Sequence, residues 1–205
     1  MQHVLLDRAH HRPDNGQPLL GPLTLARARV HEAHGPARHT LALLLARAME
    51  GPVFWVAPLW FPERLYPLGL ANLGVNPGRI TFVHARHATD ILWTLEEILR
   101  SGAVPLVVGD LPGPPGLTPM RRMQLAAEAG AEARGAPPLG LILTPTGNAA
   151  GAESRWKMTP AHSPERHGWE LTRERARSDP PATWRIAPRD GGFALEPLSS
   201  PPPGM

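Results

Sequence analysis

The sequence predicts a layered α/β domain with a mostly parallel sheet, because short apolar runs alternate along the chain with helical segments. The apolar runs have the composition of strands that are buried on both faces, and they lie at residues 53–56, 80–83, 104–108 and 139–143. Helical patterns lie before and between them, at residues 40–49, 90–100 and 118–130. A chain of 205 residues has the length of one domain with a sizeable core.

The predicted helices carry sequence signals for where they begin and end. The first, residues 40–49, is dense in leucine and alanine and stops before Gly51. The second places its apolar residues on one stripe at helical spacing, and Thr89 is its expected N-cap. The third is expected to begin at Thr118 and to end at Gly130.

The two ends of the chain differ in composition from its middle. Residues 1–24 are polar and rich in proline and glycine, which predicts a flexible lead-in. Residues 198–205 are proline-rich and are predicted to be a disordered tail, so one folded domain is expected over residues 25–197. Within it, antiparallel strands at one edge of the sheet are predicted from stretches that alternate apolar and polar residues around Trp156, Trp169 and Trp184.

The composition excludes several kinds of chemistry. Cysteine is absent, so disulfides, thiolate metal sites and cysteine nucleophiles are excluded. Charged residues interrupt the N-terminal segment, which therefore lacks the pattern of a signal peptide, and no apolar run reaches the roughly 20 residues of a membrane span. A cytoplasmic protein without membrane contact is expected. The net charge of +3 is only a weak indication of nucleic-acid binding.

The junction between the first core strand and its helix, residues 30–40, is the place for a phosphate-binding loop. Such a loop needs glycines, a lysine that reaches the β- and γ-phosphates, and a serine or threonine for Mg²⁺. This segment keeps Gly35 and Thr40 but contains no lysine and is too short for the full loop. Arg38 offers a positive charge, although its guanidinium does not replace the lysine. ATP hydrolysis is therefore not expected and no cofactor is predicted, although a helix N-terminus attracts anions.

Ordered segments of the chain resemble the core of the RecA recombinase family. Residues 28–36 (ARVHEAHGP) resemble the strand that leads into the Gly-Pro start of the RecA phosphate loop, and residues 65–76 (LYPLGLANLGVN) resemble a helix that ends in a Leu-Gly-Val turn. Residues 98–110 (ILRSGAVPLVVGD) are the most specific piece and resemble the helix, turn and Walker B strand of RecA. Residues 139–144 match the next core strand. The resemblance implies a RecA-like three-layer domain.

More narrowly, the chain is similar to the ImuA family, which are RecA-like accessory proteins of the bacterial mutasome. The similarity rests on the helix LWTLEE at residues 92–97, the helix RRMQLAAEAG at residues 121–130, and a later Trp-x-Leu…Arg…Trp pattern at residues 169–184. It covers roughly residues 25–187. This similarity implies an accessory role in SOS-induced, error-prone translesion DNA synthesis. The implied partners are an ImuB-like Y-family adaptor, RecA and an error-prone replicative-type DNA polymerase.

The chain departs from the RecA pattern where catalysis takes place. RecA has a catalytic glutamate just after its second core strand, and the matching run here ends in Pro58, which can neither act as a base nor position water. Asp110 matches the Walker B aspartate, yet without the lysine and the glutamate a role as the polar cap of a buried strand is favoured over Mg²⁺ binding. The resemblance thus implies a degenerate nucleotide site, without ATPase activity, at Gly35, Arg38, Thr40 and Asp110.

Arginines are the remaining candidates for function. Five arginines are candidates for contact with DNA or with an acidic partner, namely Arg121, Arg122, Arg173, Arg175 and Arg177. The last three would line one face of a strand if their segment is extended. The alternative interpretation of this row is a solvated edge that blocks strand pairing.

Other polar, sulfur-containing and aromatic residues are assigned structural roles. The close pair His31 and His34 lacks an obvious third ligand in the sequence, so no metal site is predicted. Met120 and Met123 are expected to fill the core or an interface. Trp93 and Trp60 are expected in the core or as interface anchors, and the core is favoured for Trp93.

Three other classes of function stay open from the sequence. They are an active nucleotide-driven enzyme, a DNA-binding module, and a cell-division inhibitor of the SulA type, whose fold is a shortened relative of RecA. Phosphate release that depends on Thr40 or Asp110 would select the first, and salt-sensitive binding that depends on Arg173 and Arg175 would select the second. Co-purification with the division tubulin homologue would select the third.

Overall fold

A nine-stranded sheet forms the middle layer of the domain, and helices cover both of its faces. The structure, a computed structural model, describes residues 16–134, 137–177 and 179–198. Within them the strands are β1 Gly16–Leu20, β2 Leu23–Ala26, β3 Arg29–His34, β4 Val53–Pro58, β5 Ile80–Ala85, β6 Leu106–Asp110, β7 Leu139–Thr144, β8 Ser154–Pro160, β9 Trp169–Ala176, β10 Ala182–Arg189 and β11 Gly192–Pro197. The α-helices are α1 Arg38–Ala48, α2 Pro67–Asn72, α3 Ala88–Ser101 and α4 Leu117–Arg134, and a 3₁₀ turn spans Pro77–Arg79.

The sheet is parallel in its larger part and antiparallel at its C-terminal end. Its strand order is β11-β10-β9-β8-β3-β7-β6-β4-β5. Strands β3 to β7 pair in parallel, and β8 pairs in parallel with β3. All pairings from β8 to β11 are antiparallel. The predicted α/β fold is therefore confirmed, and the four apolar runs of the sequence are the strands β4, β5, β6 and β7. The expected burial on both faces is wrong for β5, which is the edge strand and is exposed at Thr81 and Phe82.

Each face of the sheet packs against its own group of helices. On one face α1 packs with α2 and the β1–β2 hairpin, and Leu41 and Leu45 share a core with strand residues such as Trp55 and Val108. Helices α3 and α4 cover the other face, where Leu95 is buried. Because the central strands are buried on both faces, their sequences are continuously apolar. The carboxyl ends of the parallel strands meet at one edge of the sheet, and this edge positions the candidate site.

The C-terminal strands form in the three stretches that carry a tryptophan. The three stretches around Trp156, Trp169 and Trp184 form β8, β9 and β10 in antiparallel pairing, as predicted. Strand β11 was not predicted, and a tight turn with Gly191 at a φ of +73° joins it to β10. The pairing of β8 with β9 shifts register next to Arg155, which interrupts the alternation of side chains along β9.

Residues 16–26 form a β-hairpin, so the prediction of a flexible lead-in over residues 1–24 is wrong where the two ranges overlap. Strands β1 and β2 pair around Gly21, whose φ is +54°. Leu19 and Leu23 are buried in the core that contains α1. The glycine that suggests a loop in the sequence makes the hairpin turn instead. Residues 1–15, and the predicted tail beyond Leu198, lie outside the described residues.

Helix α4 continues through Gly130 to Arg134, so the predicted stop at Gly130 is wrong. A Cβ atom at Gly130 would lie 2.1 Å from the carbonyl oxygen of Leu99, so glycine is needed where α4 crosses the end of α3. The N-cap of α3 is His87 and not the predicted Thr89. None of the helices in the described part of the chain has both the length and the apolar content needed to cross a membrane.

Helices α3 and α4 separate into buried and exposed faces. Met120 and Met123 of α4 are buried, as predicted. Trp93 of α3 is 60% exposed, so its predicted place in the core is wrong. The buried stripe of α3 contains Ile91 and Leu95, and position 93 between them falls on the solvent side of the helix.

Candidate functional site

A connection of only three residues joins β3 to α1, at the place where the sequence suggests a phosphate loop. Gly35 has a φ of +90°, and a Cβ atom there would lie 2.6 Å from the carbonyl oxygen of Met158. The same carbonyl accepts a hydrogen bond from the amide of Ala37 (3.0 Å), and the amide of Arg38 donates to the Gly35 carbonyl (3.2 Å). Pro36 has no amide hydrogen. Of the three successive residues 36–38, one has no amide hydrogen and the other two donate theirs to the protein's own carbonyls, so these positions do not offer amides to a phosphate.

Asp110, at the carboxyl end of β6, lies in a charged cluster with the first turn of α1. Its Oδ2 atom is 2.6 Å from Nε2 of His39, and its Oδ1 atom is 4.0 Å from Nε of Arg38. Asp110 is buried, and its Oδ1 atom and the Arg38 Nε atom have no hydrogen-bond partner among the described residues. The His39 ring stacks on Trp55, with the ring centroids 6.1 Å apart. These side chains meet because alternate residues of β6 face α1.

The structure brings together three of the four residues predicted for the degenerate nucleotide site. Besides its approach to Asp110, Arg38 has its Nη1 atom 3.5 Å from the Gly35 carbonyl oxygen. Thr40 is half-buried in α1, and the contacts of Asp110 within the described residues do not include it. Sequence reasoning missed His39, whose only sequence signal is its place beside Arg38 in the first turn of the helix. Gly35, Arg38 and Asp110, three of the residues that the resemblance assigns to a nucleotide, are therefore linked to one another through Arg38.

A second buried cluster surrounds Glu32 of β3, which sequence reasoning did not single out. The Glu32 carboxylate accepts hydrogen bonds from the hydroxyl of Thr144 (2.8 Å) and from the amides of Asn148 (3.2 Å) and Ala149 (2.9 Å). Arg155 donates its Nε–H to the same carboxylate at 2.7 Å. Glu32 is fully buried, and the donors around it compensate its charge. Its role is to fix the loop between β7 and β8 over the edge of the sheet.

The histidines of β3 make separate contacts with their neighbours. His31 is within hydrogen-bond distance of the Ser154 hydroxyl (2.6 Å) and the Ala26 carbonyl (2.9 Å). His34 contacts the Glu174 carboxylate at 3.0 Å. In residues 16–134, 137–177 and 179–198, no group of three or more histidine, aspartate or glutamate side chains is arranged to hold a metal ion.

The predicted row Arg173, Arg175 and Arg177 does not line one face of a strand. Arg173 is paired with Trp156, and its guanidinium lies 5.7 Å from the centre of that ring. Arg175 is paired with Arg155, which points to the opposite face of the sheet from Trp156. The prediction is wrong because the register shift in β9 separates the two arginines, and because β9 ends before Arg177.

Carboxylates lie beside two arginines of this set. Arg173 has its Nη1 atom 3.9 Å from Asp179, and it also stacks on Trp184 with 5.2 Å to the ring centre. Arg177 has its Nε atom 3.2 Å from the buried carboxylate of Glu153. These contacts stabilise the end of the antiparallel sheet and reduce the positive charge that a phosphate backbone would meet.

The helix arginines Arg121 and Arg122 differ in their surroundings. Arg121 is exposed, whereas Arg122 has its Nη2 atom 2.8 Å from the buried carboxylate of Glu96, which also contacts Arg100. Burial raises the pKa of Glu96, but the hydrogen bonds and charges of Arg100 and Arg122 outweigh it and hold this pKa below its ordinary value. Arg122 therefore links α4 to α3, and Arg121 remains directed to solvent.

Large apolar side chains are exposed near the β5 end of the sheet. This group, named here the β5-edge patch, comprises Leu59, Trp60, Tyr66, Leu68 and Phe82. The amide of Leu59 donates to the carbonyl of Ala85 (2.9 Å), which ties the segment after β4 to the end of β5. A cavity of about 130 Å³ beside Phe82 reaches Asp110. Strand β5 is the last in the sheet, and its outer edge has no strand partner within the described residues.

Comparison with models of known protein families and with curated protein sequences finds no match to this chain. The contacts at the carboxyl edge of the sheet and the sequence segments described above are therefore the basis for a functional proposal.

Proposed function

We propose that this chain is a non-hydrolysing accessory protein that acts through protein partners in SOS-induced, error-prone translesion DNA synthesis. The observation that carries the non-hydrolysing part is the cluster of Arg38, His39 and Asp110 behind a three-residue connection. Phosphoryl transfer in such a scaffold needs a lysine on the phosphates, a carboxylate that is free to hold Mg²⁺, and a group that orients water. Here the carboxylate of Asp110 contacts two side chains of α1, and no lysine lies in the loop.

The β5-edge patch supports the proposal that the protein acts through partners. Large apolar side chains in one region of a surface mark sites of protein–protein contact, and aromatic side chains often dominate the binding energy of such sites. Trp60 is half exposed and Tyr66 is 69% exposed, so both offer anchors to a partner. The neighbouring edge of β5 adds backbone groups with which a partner strand could pair.

The process and the identity of the partners rest on the similarity to the ImuA family. On the basis of that similarity, we propose an ImuB-like Y-family adaptor, RecA and an error-prone replicative-type polymerase as partners. We also propose a cytoplasmic location. The RecA-like segments and the loss of the catalytic residues occur in the same chain, which is the combination expected of an accessory protein derived from a motor.

Deletion of the coding sequence, followed by complementation, tests the proposal. We expect the deletion to lower damage-induced mutation frequency and the wild-type chain to restore it. Trp60→Ala should fail to restore it and should weaken capture of the purified ImuB-like adaptor, because it removes an anchor of the β5-edge patch.

Trp93→Ala is the matched control, since Trp93 is similarly exposed but lies on α3, outside the β5-edge patch. We expect this variant to complement fully. Normal damage-induced mutagenesis in the deletion strain would overturn the proposed process. Equal loss of adaptor capture in both variants would overturn the assignment of the patch.

A further inference from the structure

A groove of about 800 Å³ lies between the ends of α1 and α2 and the β10–β11 hairpin, remote in the fold from the Asp110 cluster. Its lining combines basic and aromatic side chains, namely Arg47, Arg189, His162, His167, Trp169 and Phe193. None of the described residues that line the groove is acidic. Asp190, in the hairpin turn, is exposed and is not part of this lining.

Arg47 is a fixed cation in the groove. Its Nη2–H donates to the carbonyl of Gly191 (2.7 Å), and its guanidinium lies 5.2 Å from the centre of the Phe193 ring. A Cβ atom at Gly74 would lie 2.9 Å from the Arg47 Nε atom, and one at Gly192 would lie 3.2 Å from Nη2. The two glycines thus give the arginine room to lie along the groove, so that its charge is held in place before a ligand arrives.

The aromatic side of the groove is also ordered by contacts. The His162 ring accepts a hydrogen bond from the amide of Gly168 at Nδ1 (3.1 Å), so the neutral ring carries its proton on Nε2 and can donate. His162 meets Trp169 edge to face at 5.4 Å, and Trp169 meets Phe193 in the same manner at 5.9 Å. The rings form an apolar wall beside the cations.

Several arginines elsewhere on and beside the C-terminal strands lie next to carboxylates, unlike the carboxylate-free lining of the groove. Arg166 is paired with Glu196, while Arg173 and Arg177 lie beside the carboxylates of Asp179 and Glu153. A nucleic-acid strand needs an extended track of cations along its backbone. The groove offers a short cationic site next to an apolar wall, which matches a short acidic segment that also carries an apolar side chain.

We propose that this groove binds a short acidic peptide segment of a partner protein, with carboxylates on Arg47 and Arg189 and an apolar side chain against Trp169 and Phe193. The inference rests on the proposed function in that it assumes a protein partner, and it names the chemistry of the segment that is recognised. The groove is lined by the C-terminal end of α2 and by the C-terminal strands, whereas Trp60 and Phe82 of the β5-edge patch are not part of its lining.

Fluorescence anisotropy with the purified full chain tests this proposal. The probe is a short fluorescein-labelled peptide of glutamate and leucine, and the same peptide with glutamine in place of glutamate is its control. We expect the acidic peptide to bind more tightly than its control. The double variant Arg189→Ala/His167→Ala should bind it about tenfold more weakly, because both side chains are exposed at the rim and supply charge or hydrogen bonds.

Arg121→Ala is the matched control for charge, since Arg121 is exposed on α4 at the opposite face of the sheet. It should leave peptide binding unchanged. Equal binding of the two peptides, or equal losses in Arg121→Ala and in the double variant, would overturn the proposal. Tighter binding of an oligothymidylate that also depends on Arg189 would overturn it in favour of nucleic acid. None of these outcomes alters the Trp60→Ala result, so the proposed function and the groove are tested separately.

Discussion

Nε2 of His39, in the first turn of α1, lies 2.6 Å from Oδ2 of Asp110 at the end of β6. This contact joins two residues that are 71 positions apart in the chain, and it places a carboxylate against the helix N-terminus where a bound phosphate would otherwise be expected. Arg38 approaches the other carboxylate oxygen. The cluster therefore has a structural role whose size can be measured.

Asp110→Asn should lower the free energy of unfolding by about 1–3 kcal/mol, because a buried carboxylate that accepts from His39 and faces Arg38 is replaced by a neutral amide. Urea denaturation measures the change. Glu50→Gln removes the same charge at an exposed position and should leave stability nearly unchanged. Equal stability of Asp110→Asn and the wild type would show that the cluster stabilises nothing.

Glu32→Ala should cost about 3–5 kcal/mol of stability, because it leaves Arg155 and the amides of Asn148 and Ala149 without their buried acceptor. Glu32→Gln keeps an acceptor oxygen and should cost less. In that variant, hydrogen exchange at the Ala149 amide should be faster than in the wild type, while Glu174→Gln at a partly exposed position should not change it. Unchanged exchange at Ala149 would contradict the role of Glu32 in fixing the loop.

The ion pairs of Glu96 predict a pH dependence of stability. Because its folded pKa is held below the ordinary value of 4.5, the ionised carboxylate stabilises the fold at pH values above this value. That contribution is lost as the pH falls below it towards the folded pKa. Glu96→Gln should therefore be less stable than the wild type by about 1 kcal/mol at pH 7, and the difference should shrink in acid. A difference that stays constant from pH 7 into the acid range would refute this explanation.

Gly130→Ala should destabilise the protein by about 1–3 kcal/mol, since the added methyl group would meet the backbone carbonyl of Leu99 at 2.1 Å and force α3 and α4 apart. Thermal or chemical denaturation measures the loss. Gly113→Ala is the control, because a Cβ atom there has no described neighbour within 4 Å. If Gly130→Ala is as stable as Gly113→Ala, the close helix contact does not exist.

The sequence was most informative where strands are buried on both faces. Such strands leave continuous apolar runs, which is why β4, β6 and β7 could be predicted one by one. Strand β5 was predicted from the same kind of run, although it is the partly exposed edge strand of the sheet. The hairpin at residues 16–26 was missed because glycine and proline suggest a loop, whereas here Gly21 makes a turn between two strands. Gly130 was misread for a similar reason, since the need for glycine comes from a helix that is distant in sequence.

The candidate site could be predicted only in part. The positions of Gly35, Arg38 and Asp110 follow from a strand–helix junction and a strand end that the sequence marks. His39 and Glu32 were not identified as site residues, because their partners lie 71 and more than 100 residues away in the chain. No local sequence pattern indicates contacts over such distances. The prediction that the arginines line one face of a strand is wrong, because one register shift in β9 places Arg175 on the opposite face from Arg173.

Phosphate release from Mg·ATP by the purified wild-type chain, with Asp110→Asn beside it, tests the central claim most directly. The Arg38–His39–Asp110 cluster and the short β3–α1 connection predict that neither protein releases phosphate faster than buffer alone. Release by the wild type that Asp110→Asn abolishes would contradict the claim, because Asp110 would then serve a metal-bound nucleotide instead of the first turn of α1.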